Sequence, residues 1–344
     1  MADSSSTSSS EKNAGEGSRA PAARGAEGAT WRGLVRGALF VLAIAAALDY
    51  GIGVFLRRAY FTQTSGLQYR TTMSMENAGA GLLVFGTSRA NHHYVPAVLE
   101  DGIGLDVYNA GRDGSSVLYH EAVLEAVLAR RAPAAVLLDL NAGDFVRSKA
   151  NYDRLAVLLP YWADHPEIRP ILRLRSRFEE IKLLSRIYPF NSSLLTILAG
   201  NLESNRERRP DIDGYIPLRG RWNRSLGEEE RPDREEIDPV LVRHFEKFVE
   251  RAAGCGARVV VVVSPAYYRR AGEPETIRIA REICRERGAP FLDFGADEFF
   301  LGRPDLFQDP YHLNHEGAEL FSGRLAETIE REIPGANGGG GPEL

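Results

Sequence analysis

The chain has 344 residues, of which 44% are apolar and 26% charged, with a formal net charge of −5. These proportions are ordinary for a globular protein of one large or two small domains, and they give no electrostatic basis for nucleic-acid binding. Two cysteines, Cys255 and Cys284, are too few for a disulfide framework or a thiolate metal cluster. We expect two small buried side chains, and a single disulfide between them stays open.

The N-terminal region changes character at about residue 30. Residues 1–30 are rich in Ser, Ala and Gly without apolar periodicity, so we expect a disordered tail. Gly37–Leu56 is then an apolar run with one charged residue, Asp49. About 20 such residues match the thickness of a bilayer core, which predicts a transmembrane signal anchor at residues 35–58. A signal peptide cleaved near Ala45–Ala47 and a buried soluble helix are the alternatives.

The arginines around this run predict its orientation. More basic residues precede the run than follow it, where Arg57 and Arg58 stand. The positive-inside rule therefore favours a cytoplasmic N-terminus. We expect a single-pass protein of the cytoplasmic membrane, with the folded domain on the extracytoplasmic side.

From residue 80 the chain alternates between strand and helix patterns. Apolar or β-branched runs predict strands at Gly81–Gly86, Leu105–Ala110, Ala135–Leu140, Arg258–Ser264 and Pro290–Phe294. Helical periodicity marks Pro96–Glu100, Val117–Arg131, Asp238–Ala253, Thr276–Arg287 and His315–Ile333. Residues 145–236 interrupt the alternation with short helical pieces near 166–187 and 191–202, and residues 335–344 are an expected disordered tail.

This order predicts an α/β fold for residues 80–334, a three-layer α/β/α domain with a flavodoxin-like parallel sheet and a mostly helical insertion at 145–236. Ligands of such sheets bind beyond the carboxyl ends of the strands. Ser88, Gly111 and Asn141 each follow one of the first three strands, and Asp309 and His312 follow the fifth. We therefore expect these five residues to share one site.

The residue types at these positions suit acyl transfer. Asp309 precedes His312 by three residues, so its carboxylate can accept from Nδ1–H and leave Nε2 as a general base. Ser88 is the candidate nucleophile. The N–H groups of Ser88 and Gly111 and the Asn141 amide are candidate oxyanion donors.

This set of motifs resembles the SGNH (GDSL-like) hydrolase superfamily. That family has a nucleophilic Ser after its first strand, a Gly after the second, an Asn after the third and a C-terminal Asp-x-x-His; here Ser88, Gly111, Asn141 and Asp309–His312 match them. Thr87 stands where the family has the Asp of Gly-Asp-Ser. The resemblance implies a serine esterase or acyltransferase that works through an acyl-enzyme and needs no cofactor.

The apolar N-terminal segment narrows this resemblance. The chain is similar to membrane-anchored SGNH-like proteins that esterify or de-esterify cell-envelope polymers, such as those of teichoic-acid and alginate-type systems. This implies an acyl ester or polysaccharide substrate and, as a partner, a multi-spanning O-acyltransferase.

Two other function classes stay open. His92, His93, Asp309, His312 and His315 could form a zinc site, since imidazole and carboxylate are good Zn²⁺ ligands. A non-catalytic scaffold protein of an envelope complex would keep the fold without turnover. Arg89 and Arg112 flank the expected site, either as ligands of an anionic substrate or as solvated surface arginines.

Overall fold

The computed structural model describes residues 24–202, 211–225, 227–228 and 236–332. The tail expected at 335–344 and residues 1–23 of the other tail lie outside the described residues. The first helix begins at Arg24, before the expected end of that tail at residue 30. Ala and Arg in this stretch are good helix formers, which lets the helix extend N-terminal to the apolar run.

The strands, in chain order, are β1 Leu82–Phe85, β2 Val107–Asn109, β3 Ala135–Asp139, β4 Gly227–Glu228, β5 Arg258–Val263, β6 Tyr268–Arg269, β7 Phe291–Asp293, β8 Phe307–Asp309 and β9 His312–Leu313. The α-helices are α1 Arg24–Phe61, α2 Gly66–Thr72, α3 Ser88–His93, α4 Pro96–Ile103, α5 Val117–Leu128, α6 Lys149–Asp153, α7 Arg169–Leu172, α8 Glu179–Lys182, α9 Leu194–Asn201, α10 Pro239–Gly254, α11 Glu275–Arg287, α12 Glu298–Leu301 and α13 His315–Glu332. Short 3₁₀ segments are Arg154–Tyr161, Pro166–Ile168, Tyr188–Phe190 and Pro304–Leu306, and Met73–Asn77 is a π-helical turn.

Five strands form one parallel sheet in the order β2-β1-β3-β5-β7. Strand one lies between strands two and three, which is the predicted flavodoxin-like order. Residues Val259–Val263 of β5 are buried on both faces of the sheet, as a central parallel strand requires. The predicted three-layer α/β/α fold is confirmed.

Alternate residues of each strand enter two separate cores, because successive strand side chains point to opposite faces. Leu83, Phe85 and Val261 pack in a core formed with α5, α10 and α11. Leu82 and Val84 pack in a second core formed with α4 and α13. Helices therefore cover both faces and leave the carboxyl ends of the strands to loops.

Residues between β3 and α10 form the expected insertion of short helices. Leu155, Leu158, Ile168 and Leu172 enter the core on the α5 side. The segment from residue 211 is an irregular loop in which Tyr215 is fully buried. The insertion is thus packed onto the domain and is not an independent unit.

Helix α1 carries the apolar run. The chain divides into two compact units, Met1–Asp49 and Tyr50–Leu344, and the boundary falls within this helix. Thr30–Phe61 is long and apolar enough to cross a membrane, and its most apolar 18-residue window has a mean hydropathy of 2.2. The second unit contains the α/β domain and all of the predicted site residues.

Candidate active site

Ser88 is the first residue of helix α3, directly after the Gly86-Thr87 turn that ends β1. Gly86 has φ +140°, and a Cβ there would lie 2.8 Å from the Asp139 carbonyl oxygen and 2.7 Å from Ala90 Cβ. Only glycine fits a turn that is this tight and this closely packed. The turn therefore places the Ser88 hydroxyl at the end of the sheet.

His312 lies beside this serine although 224 residues separate the two in the chain. Ser88 Oγ is 2.8 Å from His312 Nε2, and His312 Nδ1 is 3.0 and 2.9 Å from the two Asp309 carboxylate oxygens. Because Nδ1–H donates to the carboxylate, Nε2 accepts the Ser88 hydroxyl proton. The predicted meeting of Asp309, His312 and Ser88 is present in this geometry.

Backbone groups also hold the Asp309 carboxylate. Its Oδ1 accepts from the N–H groups of Tyr311 at 2.8 Å and His312 at 3.0 Å. Partial burial acts to raise the pKa of Asp309, but the bonds from the His312 ring and these N–H groups outweigh it and lower the pKa below its ordinary value. Asp309 is therefore ionised at neutral pH, and it fixes the ring orientation.

An open cleft of about 370 Å³ exposes this arrangement. Its lining includes Ser88, His312 and Asn141 from the ends of the sheet and Arg154 from the insertion. Ser88 and His312 are half-buried. A substrate can therefore reach Ser88 Oγ from solvent.

Asn141 lies in this cleft with its side chain engaged. Its Nδ2 donates to Thr87 Oγ1 at 2.6 Å, and its backbone N–H donates to Asp144 at 2.8 Å. The Asn141 side chain also bonds to the Asp144 carboxylate, so Thr87 and Asp144 together hold the amide. Desolvation raises the pKa of Asp144 to about 7. Thr87, which the sequence analysis identified only as a departure from the family motif, thus orients the Asn141 amide.

Gly111 follows β2 as expected, but it faces helix α3 and does not line the cleft. Its N–H donates to Asn109 Oδ1 at 2.9 Å. A Cβ at Gly111 would lie 2.6 Å from Asn91 N and 2.9 Å from the Ala90 carbonyl carbon. The glycine is therefore needed for close packing against the helix that carries Ser88. The cleft lining nearest to this loop is Gly114 and Ser115.

The two flanking arginines are buried, so the expectation of solvated surface side chains is wrong for both. Arg89 donates to the carbonyl oxygens of Leu140 at 2.8 Å and Ser264 at 3.2 Å, and its Nε is 3.7 Å from Asp139. Arg112 donates to the Leu67 carbonyl at 2.7 Å and to Thr71. Both guanidinium groups are bonded to protein oxygens, as buried cations require, and Arg89 is also among the residues that line the cleft.

His93 contacts the segment that carries His312. Its Nε2 accepts the Leu313 backbone N–H at 3.0 Å, and its Nδ1 lies 3.0 Å from Ser264 Oγ. This pattern requires a neutral ring with the proton on Nδ1. Burial, followed by the charges of Arg89 and His312, lowers the pKa of His93 well below its ordinary value. The sequence signal for this residue is the His92-His93 pair, but its contact with Leu313 depends on the tertiary structure.

The metal alternative gains no support from these positions. His92 Nδ1 lies 2.7 Å from the Ile216 carbonyl oxygen, and His315 Nδ1 lies 3.0 Å from Tyr215 Oη. With His93 and His312 bonded as above, these rings are committed to protein partners. In the described part of the chain, no group of three His, Cys, Asp or Glu side chains is arranged to hold a metal ion. Cys255 and Cys284 are free thiols.

The chain is similar to solved structures only at low sequence identity. No protein-family model matches the sequence, and no curated protein matches it. One similar solved structure is a Desulfitobacterium hafniense protein described as belonging to the lipolytic G-D-S-L family. It is 14% identical, the match covers 72% of this chain and 97% of that chain, and the TM-score is 0.34. The strand order is the flavodoxin-like order predicted from the sequence, and the cleft contains residues that follow the carboxyl ends of the strands.

Proposed function

We propose that this protein is a serine-dependent acyl esterase or O-acyltransferase that acts on ester groups of cell-envelope or exported polysaccharides. The observation that carries the proposal is the unbroken chain of hydrogen bonds from Ser88 Oγ to His312 and on to Asp309, at 2.8 and 2.9 Å. Its open position in a cleft suits an ester substrate. The expected N-terminal anchor supports an extracytoplasmic location, where such polymers lie.

The reaction proceeds in two balanced steps. Ser88 Oγ bonds to the ester carbonyl carbon while His312 Nε2 takes the hydroxyl proton. The tetrahedral intermediate then expels the alcohol, which leaves with the proton from His312. Water or a sugar hydroxyl attacks the acyl-enzyme, gives its proton to His312, and the acyl product departs as Ser88 regains the proton. Ionised Asp309 stabilises the imidazolium that forms in each step.

Donors for the oxyanion are expected from the start of α3 and from Asn141. The first N–H groups of a helix have no intrahelical acceptor, so Ser88 N–H can serve the developing charge. The Asn141 amide, held by Thr87 and Asp144, lies in the same cleft and offers a second donor when it exchanges one of these bonds for the oxyanion. Gly111 N–H could act only by giving up its bond to Asn109, and we assign it the packing role instead.

Fluorophosphonate labelling and p-nitrophenyl acetate hydrolysis test the proposal. The wild type should be labelled and active, and Ser88→Ala should lose the label. Ser88→Ala and His312→Ala should each lower kcat by about 10⁴–10⁶-fold, with a double variant no worse, because members of a triad act as a unit.

Ser192→Ala, at an exposed serine of the insertion, is the matched control and should keep both label and activity. Full hydrolysis by Ser88→Ala would end the serine mechanism. An unlabelled, inactive wild type with intact melting would favour the scaffold alternative. Added polysaccharide that diverts the acyl group from water would assign transfer.

A further inference from the structure

The insertion exposes an apolar face that nothing in the described chain covers. On α9, buried Ile197 and Gly200 face the core, while leucines project outward at helical spacing. Around α8, large apolar side chains three residues apart are also exposed. The exposed set, named here the insertion apolar face, is Phe178, Ile181, Leu184, Leu194, Leu195, Leu198 and Leu202. Leu195 is 83% and Leu184 79% exposed, and exposed apolar clusters of this kind mark interaction sites.

The same insertion is fixed to the C-terminal part of α1 that belongs to the α/β unit, Tyr50–Phe61. Gly53 packs directly on the insertion backbone: a Cβ there would lie 2.3 Å from Arg186 Cβ. Further along, Asn201 Nδ2 donates to the Ala59 carbonyl at 2.8 Å, and Arg57 pairs with Asp164 at 2.7 Å. The insertion is therefore held against this part of α1 by close packing, a hydrogen bond and an ion pair.

These contacts determine where the insertion lies along the axis of α1. The apolar run ends at Leu56, so Gly53 lies within its last turn. Ala59 is roughly 9 Å further along the axis at 1.5 Å per residue. If the run spans a bilayer core, the segment from Arg186 to Asn201 lies at the boundary between acyl chains and headgroups. Tyr50, Val54 and Phe55 are exposed at this same level.

Basic side chains accompany the exposed apolar ones. Arg58 follows the apolar run and is exposed. The Arg177 guanidinium lies 4.6 Å from the centre of the Phe178 ring. Arginine beside aromatic and leucine side chains is the composition of an interfacial membrane surface, where the cation meets anionic headgroups. A polar protein surface would not complement these exposed leucine and phenylalanine side chains.

We propose that the insertion apolar face is a membrane-docking surface that seats the α/β unit on the bilayer. The proposal rests on the proposed membrane anchor. One insertion segment, Arg154–Tyr161, links the C-terminal end of α1 to the cleft. Its Tyr161 ring packs on Tyr60 and Phe61 at 5.8 and 5.4 Å between centroids, and Arg154 lines the cleft. Docking therefore fixes the cleft relative to the membrane and favours substrates held close to it.

The test uses the full chain in vesicles of phosphatidylcholine and phosphatidylglycerol. Single cysteines are introduced as Leu195→Cys, as Leu320→Cys at an exposed position of α13, and as Val41→Cys in the apolar run. The background carries Cys255→Ser, and Cys284 is kept because it is buried. Each carries an environment-sensitive fluorophore, and nitroxide-labelled lipids quench it. We expect the probe at 195 to be blue-shifted and quenched several-fold more than that at 320.

The three probes separate the two proposals. A probe at 41 that is not quenched would show that the anchor is wrong. Quenching at 41 with no more quenching at 195 than at 320 would overturn docking alone. As a second variant, Leu195→Asp with Leu198→Asp should reduce quenching of a probe at 184 several-fold, whereas Leu320→Asp should not. Since these side chains are exposed, melting should not change, and unchanged quenching in the double variant would also overturn docking.

Discussion

At the residue scale, the proposed catalytic pair depends on a histidine that does not touch the cleft. His93 Nε2 accepts the N–H of Leu313, the residue directly after His312. Only the neutral ring can accept there while Nδ1–H donates to Ser264. His93 thus acts as a positioning residue: by holding the backbone of Leu313, it keeps the His312 ring in its place beside Ser88.

His93→Gln and His93→Leu distinguish positioning from simple packing. Glutamine offers an acceptor to Leu313 and a donor to Ser264, so it should retain most of kcat. Leucine fills the space without either bond, and we expect kcat to fall by about 100-fold with a smaller change in KM, since small misplacements have effects of this order. Steady-state kinetics on p-nitrophenyl acetate check this. Equal losses in both variants would indicate packing alone.

The same residue gives a pH dependence of stability. The pKa of His93 is depressed in the folded protein, so the unfolded chain binds the proton more readily. Stability from this group is therefore complete above the unfolded pKa of about 6.5 and declines as pH falls below it. Melting curves of the wild type should show this decline more steeply than those of His93→Gln. Parallel curves would contradict the assignment; buried His120, which has its pKa lowered to about 3 by desolvation, contributes equally to both proteins.

At the element scale, the close approach of the β2 loop to α3 determines where Ser88 lies. Gly111→Ala places a methyl group against the backbone of Ala90 and Asn91. We expect a loss of about 1–3 kcal/mol in the free energy of unfolding, as in overpacked cores, and a fall in activity because α3 must shift. Urea unfolding measures the first. Gly143→Ala is the matched control, since its Cβ would meet nothing within 4 Å. Equal stability of the two variants would refute the packing role.

At the scale of the whole molecule, the proposed anchor predicts a topology. A reporter fused after residue 60 should be active only outside the cytoplasm, because the excess of arginines precedes the apolar run. Protease protection of spheroplasts gives an independent readout. Cytoplasmic activity of the fusion would reverse the orientation, and a mature N-terminus near Leu48 would identify cleavage instead of an anchor.

The sequence by itself determined the sheet and the chemistry of its loops. Continuous β-branched runs such as Val259–Val263 are typical of central parallel strands, and loops that follow the carboxyl ends of such strands meet at one edge. For that reason Ser88, Asn141, Asp309 and His312 could be placed together before any distance was known. Asp309 and His312 were also close enough in sequence for their contact to follow from local geometry.

Tertiary structure alone decided what surrounds this site. Gly111, Arg89 and Arg112 follow the strands at the edge where a substrate would bind, but packing holds all three against protein groups. Gly111 packs on the backbone of α3, and each arginine donates to carbonyl oxygens distant in sequence. Long-range contacts likewise bring His93 to Leu313 and Arg154 to the cleft. The outward leucines of α9 follow from which face packs on the core, which helical periodicity cannot reveal when both faces are apolar. Local patterns specify elements, whereas long-range contacts specify which of their faces remain free.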